Sequence, residues 1–348
     1  MFVYACAHTE VIMKRKVVTF GEVLLRLSAP GNKRFTQSGT FDAAYGGSEG
    51  NVAASLSKFG VASSFVTAVP DNELGASALS FFESFGVDTF FSLKGEKRLG
   101  LYFLEQGASM RPGKVIYDRA DSSFAALQPG SVNWKELLKD ATWFHWSGIS
   151  PALNSSLAAV CLEALQVASD LGITISADLN YRANLWNYGK KPSEVMPELI
   201  QYCDVLLGGK GDSELVLGIP VKEEDSLEEV FRQWKKQFPR LTTIASTGRT
   251  DANASQYKWE GYLWQEGKLY SSRQYEITHI VDRVGAGDSY MAGIIYGLIK
   301  NQNDVQKVVD FATAASCLKH TIPGDVNLAV VSEVEKLMEG DTGGRISR

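Results

Sequence analysis

Trp143-Phe144-His145-Trp146, then the helix-length segment Leu153–Leu171 stopped by Gly172, then Ile173-Thr174-Ile175-Ser176-Ala177, is the stretch on which the fold turns. Two short runs rich in aromatic and β-branched residues flank a segment long enough for about five helical turns. Antiparallel neighbours can be joined by a tight hairpin, whereas parallel ones need a crossover of this length. The same alternation continues outward: helix Ser193–Tyr202, strand Val205–Leu207, helix Ser226–Gln237 and strand Leu241–Ala245. Towards the N-terminus, strand Val17–Phe20 runs into Gly21-Glu22. Helix Asn51–Phe59 ends at Gly60, and strand Ser64–Val69 precedes helix Leu74–Phe85, which ends at Gly86. The pattern predicts an α/β fold with a mostly parallel central sheet covered on both faces.

Two stretches break the rhythm. Leu24–Tyr45 and Gly100–Phe124 hold short alternating runs, such as Leu101-Tyr102-Phe103-Leu104 and Lys114-Val115-Ile116-Tyr117, without a helix between them. They predict a small antiparallel sheet, within residues 24–45 and 98–124, projecting as a lid, a dimer surface or both. A hairpin insertion without function would read the same way.

The 348 residues fit one compact unit, residues 13–340, plus this lid. Met1–Ile12 lacks a basic start and a long apolar centre, so it reads as a dispensable extension rather than a signal peptide; residues 341–348 read as a tail. With 35 Lys and Arg against 40 Asp and Glu, the formal charge of −5 argues against nucleic acid as a partner. No run approaches the roughly 20 apolar residues of a membrane span, so the expected location is the cytoplasm. The four cysteines (6, 161, 203, 317) and four histidines (8, 145, 279, 320) are scattered, and no zinc-type spacing occurs.

The chemistry concentrates in Asp282-Arg283-Val284-Gly285-Ala286-Gly287-Asp288, which follows Ile277, Ile280 and Val281 and opens a helix with Tyr290, Met291, Ile294, Ile295, Leu298 and Ile299 on one broad face. Small residues at Gly285, Ala286 and Gly287 let backbone N–H groups approach a ligand, and a helix N-terminus adds partial positive charge. Such a place suits phosphate. Asp288 alone could be a helix-start residue. Beside bound phosphate, however, a carboxylate repels the ligand unless it acts, and a general base for an attacking hydroxyl resolves that conflict. A dinucleotide fingerprint would need glycine where Tyr290 stands, and no Gly-Lys pair precedes Ser or Thr as a Walker loop requires.

The segment Asp282-x-x-Gly285-Ala286-Gly287-Asp288 resembles the C-terminal signature of the ribokinase-like (PfkB) carbohydrate kinases, and Gly46-Gly47-Ser48-Glu49-Gly50-Asn51-Val52-Ala53 resembles their N-terminal one. Gly21–Ser28, Gly100–Phe103, Lys114–Ala120, Asp178–Arg182 and Lys319–Asp325 resemble the 2-keto-3-deoxygluconate kinases within that family. The resemblance implies a three-layer α/β/α ribokinase-like fold with a β-sheet lid. It also implies ATP and Mg²⁺ as cofactors, a monovalent cation such as K⁺ as a further candidate, and a sugar acid whose terminal hydroxyl is phosphorylated. A homo-oligomer formed through the lid sheet is expected as well.

For a sugar acid, Arg119 and Arg182 offer planar forks for the carboxylate, Tyr102 and Tyr117 offer hydroxyls from the lid, and Asn51 with the Gly46–Gly47 backbone would hold sugar hydroxyls. The carboxylate is assigned to Arg182, with Arg119 as the alternative. The resemblance adds Asp325 to the substrate set and brings Asn180 and Arg182 near the nucleotide phosphates. Ser246-Thr247-Gly248-Arg249, expected to end a strand, resembles the family's ATP segment, which gives Thr247, Gly248 and Arg249 to the cofactor together with Gly285 and Gly287. One departure stands out: after Val205–Leu207 the family's Asn-x-x-Glu is replaced by Gly208-Gly209-Lys210-Gly211-Asp212, leaving Asp212 as the expected metal residue and Lys210 as a possible counter-charge. It puts catalytic efficiency in question and keeps a non-catalytic sugar-acid sensor as an alternative, beside fructokinase and keto-deoxygalactonate kinase. Gly46-Gly47-Ser48-Glu49-Gly50 also spells the nucleophile elbow of hydrolases, but Phe41–Tyr45 makes a poor preceding strand.

Overall fold

The structure is a computed structural model that describes residues 16–300 and 304–341, so Met1–Ile12 and most of the tail lie outside the described residues. The chain enters through β1 (Lys16–Phe20) and the hairpin of β2 (Leu24–Ser28) with β3 (Asp42–Gly46). Helix Ser48–Lys58 leads to β4 (Ser63–Val66) and β5 (Ala68–Pro70), and helix Glu73–Glu83 to β6 (Leu93–Gly95) and a second hairpin, β7 (Gly100–Glu105) and β8 (Lys114–Asp118). Then β9 (Ala141–Ser147), β10 (Thr174–Asp178), β11 (Val205–Leu207) and β12 (Thr243–Asn253) alternate with helices Ser155–Asp170, Pro192–Ile200 and Leu227–Gln237. Strands β13 (Gln256–Gln265), β14 (Lys268–Ser271) and β15 (Tyr275–Ile277) precede helices Ala286–Lys300, Val305–Lys319 and Val331–Glu339.

The central sheet has the order β14-β13-β12-β11-β10-β9-β1-β4, with β15 on β13, and every pair from β12 to β4 is parallel. Strand alternation sends Val18, Phe144 and Trp146 to one face, under Leu157, Val160, Met196, Phe231 and Trp234 of the crossover helices. It sends Val17, Trp143 and Val205 to the other, under Val52 and Leu56 of helix Ser48–Lys58 and Ile294, Ile295 and Val308 of the late helices. This is the expected three-layer arrangement.

Several expectations shift on contact with the structure. The helix expected over Leu153–Leu171 is interrupted at Asn154, whose side chain accepts from the Leu157 N–H at 2.8 Å and starts Ser155–Asp170 afresh. The strand expected over Ser64–Val69 divides into β4 and β5. The strand expected over Leu241–Ala245 does not end at Ser246–Arg249: β12 runs on to Asn253 because β13 pairs with it antiparallel, Thr247 opposite Gly261 and Arg249 opposite Trp259. The lid is not purely antiparallel. Its order is β3-β2-β7-β8, and β2 and β7 pair in parallel, since each is the first strand of its own hairpin and both leave the body in one direction. Among the described residues no helix is long and apolar enough to cross a membrane.

Candidate active site

Two helices, Ser48–Lys58 and Ala286–Lys300, point their N-termini into one cleft at the C-terminal ends of β1, β9 and β10, with the lid sheet above. The cavity there, about 360 Å³, is lined among others by Gly47, Asn51, Tyr102, Tyr117, Arg119, Asn180, Arg182, Gly285, Ala286, Gly287 and Asp288. The sequence placed these residues in separate motifs; the fold brings them together.

Asp288 lies at the junction of the two helices. Its Oδ1 accepts from Ser48 Oγ and its Oδ2 from Asn51 Nδ2, both at 2.7 Å. Burial pushes its carboxyl above the usual range; the bonds from Asn51 and Ser48 pull it partly back, nearby Asp325 pushes up and Arg182 pulls down. A carboxylate made more basic in this way is a better proton acceptor than an exposed one. Asn51 is almost fully buried, and its enclosed Oδ1 has no hydrogen-bond partner among the described residues.

Gly285 carries φ +84°, and a Cβ there would come within 1.8 Å of the Asp325 carbonyl oxygen, so the loop tolerates only glycine. Around Gly287 nothing lies within 4 Å of a Cβ position, which leaves the loop open on the cavity side. The loop is held from behind by ion pairs. Arg26 donates to Asp325 Oδ1 and Asp282 Oδ2, both at 2.7 Å, and Asp282 accepts from the N–H groups of Val284 and Gly324. Tyr102 donates its hydroxyl to Asp325 Oδ2 at 2.6 Å.

These bonds revise several expected roles. Both Asp325 oxygens are engaged by Arg26 and Tyr102, so Asp325 and the Tyr102 donor hold each other rather than standing open. Gly46 does not line the cavity; a Cβ there would reach 2.0 Å from Asp325 Oδ2, so its smallness admits that network. Arg119 lines the cavity but its guanidinium is clasped by Glu22, with Nε at 2.7 Å. Arg182 is exposed at the mouth and, among the described residues, donates only to the Tyr181 carbonyl, at 3.0 Å. Asn180, held at φ +40°, donates to Ser48 Oγ at 3.1 Å. Thr247, Gly248 and Arg249 lie along β12 and do not line the cavity.

On the metal side, Asp212 Oδ2 accepts from the Gly209 N–H at 2.8 Å, and among the described residues no group of three or more His, Cys, Asp or Glu is arranged to hold a metal. Lys210 points away from the expected phosphate position: its Nζ donates to the carbonyls of Glu223 and Asp225, both at 2.6 Å.

Sequence reasoning gave no role to Glu22, Arg26, Glu49 or Asp178. Arg26 had a signal, a charge within the apolar strand Leu24-Leu25-Arg26-Leu27, which only a buried counter-charge permits. Glu49, 1% exposed, accepts from Ser147 Oγ at 2.5 Å, and burial pushes its carboxyl up to about 7. Burial, then the neighbouring Asp288, pushes Asp178 up to about 8. The hydrolase elbow fails here. A strand, β3, does precede Ser48, but it belongs to the lid, no histidine among the described residues lines the cavity, and the Ser48 hydroxyl is given to Asp288.

Comparison with known proteins agrees with this geometry. The model of the pfkB family carbohydrate kinases matches residues 14–329. The crystal structure of 2-dehydro-3-deoxygluconokinase from Thermotoga maritima superposes with a TM-score of 0.89 at 44% identity, covering 94% of this chain and 100% of that one. A 2-dehydro-3-deoxygalactonokinase from Haloferax volcanii is 30% identical over 332 residues, 95% of this chain and 99% of that protein. A 2-dehydro-3-deoxygluconokinase from Bacillus subtilis is 26% identical over 317 residues, 90% of this chain and 92% of that protein. With its two helix N-termini, glycine loop and β-sheet lid in these positions, the chain belongs to the pfkB family of carbohydrate kinases.

Proposed function

We propose that this kinase transfers the γ-phosphoryl group of ATP to the terminal hydroxyl of 2-dehydro-3-deoxygluconate, giving the 6-phosphate and ADP. The observation that carries the reading is Asp288, a carboxylate of raised basicity fixed by Ser48 and Asn51 beside an open glycine loop. The acceptor hydroxyl gives its proton to Asp288 as its oxygen bonds to the γ-phosphorus, and the bond from that phosphorus to the bridging oxygen of ADP breaks. The amides of Gly285, Ala286 and Gly287 and the helix N-terminus take up the charge on the transferring group.

Arg182, exposed at the mouth, reads the substrate carboxylate, and Tyr117, Arg119, Tyr102, Asn51 and Gly47 shape the sugar pocket. Asn180 and Arg182 meet the phosphates, and Thr247, Gly248 and Arg249 lie on the nucleotide side. Mg²⁺, when bound with the nucleotide, neutralises phosphate charge; Asp212, one of whose oxygens accepts no described hydrogen bond, is the residue to meet its water shell.

The Thermotoga maritima neighbour supports the gluconate-derived acid, whereas the Haloferax volcanii relative supports a second reading, the galactonate-derived epimer. A panel of both keto-deoxy acids, fructose and ribose, assayed by ADP release with ATP and Mg²⁺, in K⁺ and in choline, tests all of this. Preference for a neutral sugar sinks the sugar-acid reading, and no ADP release with any acceptor leaves a sensor. We also propose self-association through the lid. All five residues of edge strand β8 are exposed, including Val115, Ile116 and Tyr117. Sedimentation of Ile116→Glu then gives a smaller species than the unmodified chain, and equal masses reject the interface.

A further inference from the structure

Behind the glycine loop lies a charge that the proposed reaction has not yet used. Lys319, the last residue of helix Val305–Lys319, is 0% exposed. Its Nζ donates to the Ile322 carbonyl at 3.0 Å, and a Cβ built on Gly285 would come 3.3 Å from its Cε. The side chain therefore passes directly under the loop, on the face away from the cavity. The same helix tethers that loop through Ser316 Oγ, which donates to the Ala286 carbonyl at 2.8 Å.

An ammonium taken wholly out of water is costly unless its surroundings answer the charge. Here they do: the carboxylates of Asp282 and Asp325 lie within electrostatic reach, as does the more distant Asp288, against the repulsion of Arg26. The C-terminus of its own helix also favours a cation. Burial, the largest influence, lowers its pKa, and these acids offset part of that fall. Two cations, Arg26 and Lys319, thus face two carboxylates, Asp282 and Asp325, immediately behind the amides that receive phosphate. Without Lys319 the rear of the loop would hold one carboxylate in excess, and would repel the group arriving in front.

We propose that Lys319 is a positioning residue for phosphoryl transfer: its enclosed ammonium keeps the rear of the Gly285–Gly287 loop from being negative, so that the amides can take up charge on the γ-phosphoryl group. The inference rests on the kinase reading given above.

The test uses Lys319→Met, which keeps the bulk and removes the charge, and Lys319→Ala, which leaves space for a small alkylammonium ion. In Lys319→Met kcat falls about 10–100-fold, the lower part of the range for lost anion stabilisation. KM for the sugar acid stays within twofold, and the dissociation constant of the β,γ-imido analogue of ATP rises. In Lys319→Ala, ethylammonium or propylammonium raises kcat saturably, while propanol does not. A folded Lys319→Met with kcat within threefold of the unmodified enzyme and unchanged analogue affinity overturns the proposal. So does equal rescue by propanol. If Lys319→Met does not fold, the alanine variant decides: no gain with either ammonium ion means that the residue is only structural, and the proposal falls. Should the unmodified protein phosphorylate no sugar acid, the kinase reading fails separately, and analogue affinity still reports on Lys319.

Discussion

At the rear of the cleft Arg26 and Arg119 are buried and matched, Arg26 to Asp282 and Asp325 and Arg119 to Glu22, with side-chain exposures of 1–7%. At the mouth Arg182 is exposed and no carboxylate holds it in a described hydrogen bond or ion pair. The two regions use the same residue type for opposite ends. A buried pair gains little net stability after desolvation, but it fixes direction, because removing one partner strands the other. The rear pairs therefore orient the loop and the lid, whereas the guanidinium at the mouth keeps its planar fork available for a carboxylate or phosphate.

The largest effect is expected where the two regions meet. Asp288→Asn keeps the hydrogen-bonding outline but removes the base, so turnover falls by about 10²–10⁴ while circular dichroism is unchanged; a near-normal kcat would break the division between scaffold and reaction. Next comes Arg26→Met. It strands Asp282 and Asp325, and denaturant unfolding should register a loss of about 3–5 kcal/mol, whereas a loss below about 1 kcal/mol would mean that the rear pairs fix nothing.

Glu49 sharpens the contrast through pH. Its folded pKa of about 7 lies above the ordinary 4.5, so the folded protein binds this proton more tightly than the unfolded chain does. Its stabilising contribution is complete below about pH 4.5 and is lost as pH rises through about 7. Glu49→Gln should therefore gain on the unmodified protein across that window, by at most about 3 kcal/mol, read as the difference in unfolding free energy at pH 5 and pH 8. Parallel curves would show that Glu49 titrates normally. The smallest effect belongs to the mouth: Arg182→Ala raises KM for a keto-deoxy acid about tenfold more than KM for a neutral sugar, with no change in unfolding. Equal losses for both acceptors would move carboxylate recognition to Arg119.

The parallel core was legible because β9, β10 and β11 are buried on both faces and read as short apolar runs between helix-length segments. The end of β12 was not. Ser246–Asn253 is polar, and only the antiparallel partner β13 keeps it extended. No expectation covered β13, although Tyr257, Trp259, Gly261 and Leu263 alternate as a strand should. Pairing between β2 and β7 joins segments more than 70 residues apart, a distance at which local pattern carries no register. In the site, the glycine loop and Asp288 stood in one contiguous motif. The ion pairs behind them link Arg26 to Asp282 and Asp325 across more than 250 residues and could be inferred only as an unnamed counter-charge.

The amide of Asn51 carries one last consequence. With its nitrogen committed to the Asp288 carboxylate, the group cannot rotate without setting oxygen against oxygen, so the amide is locked with its enclosed oxygen as an unanswered acceptor. Whatever docks against it has to bring a hydrogen.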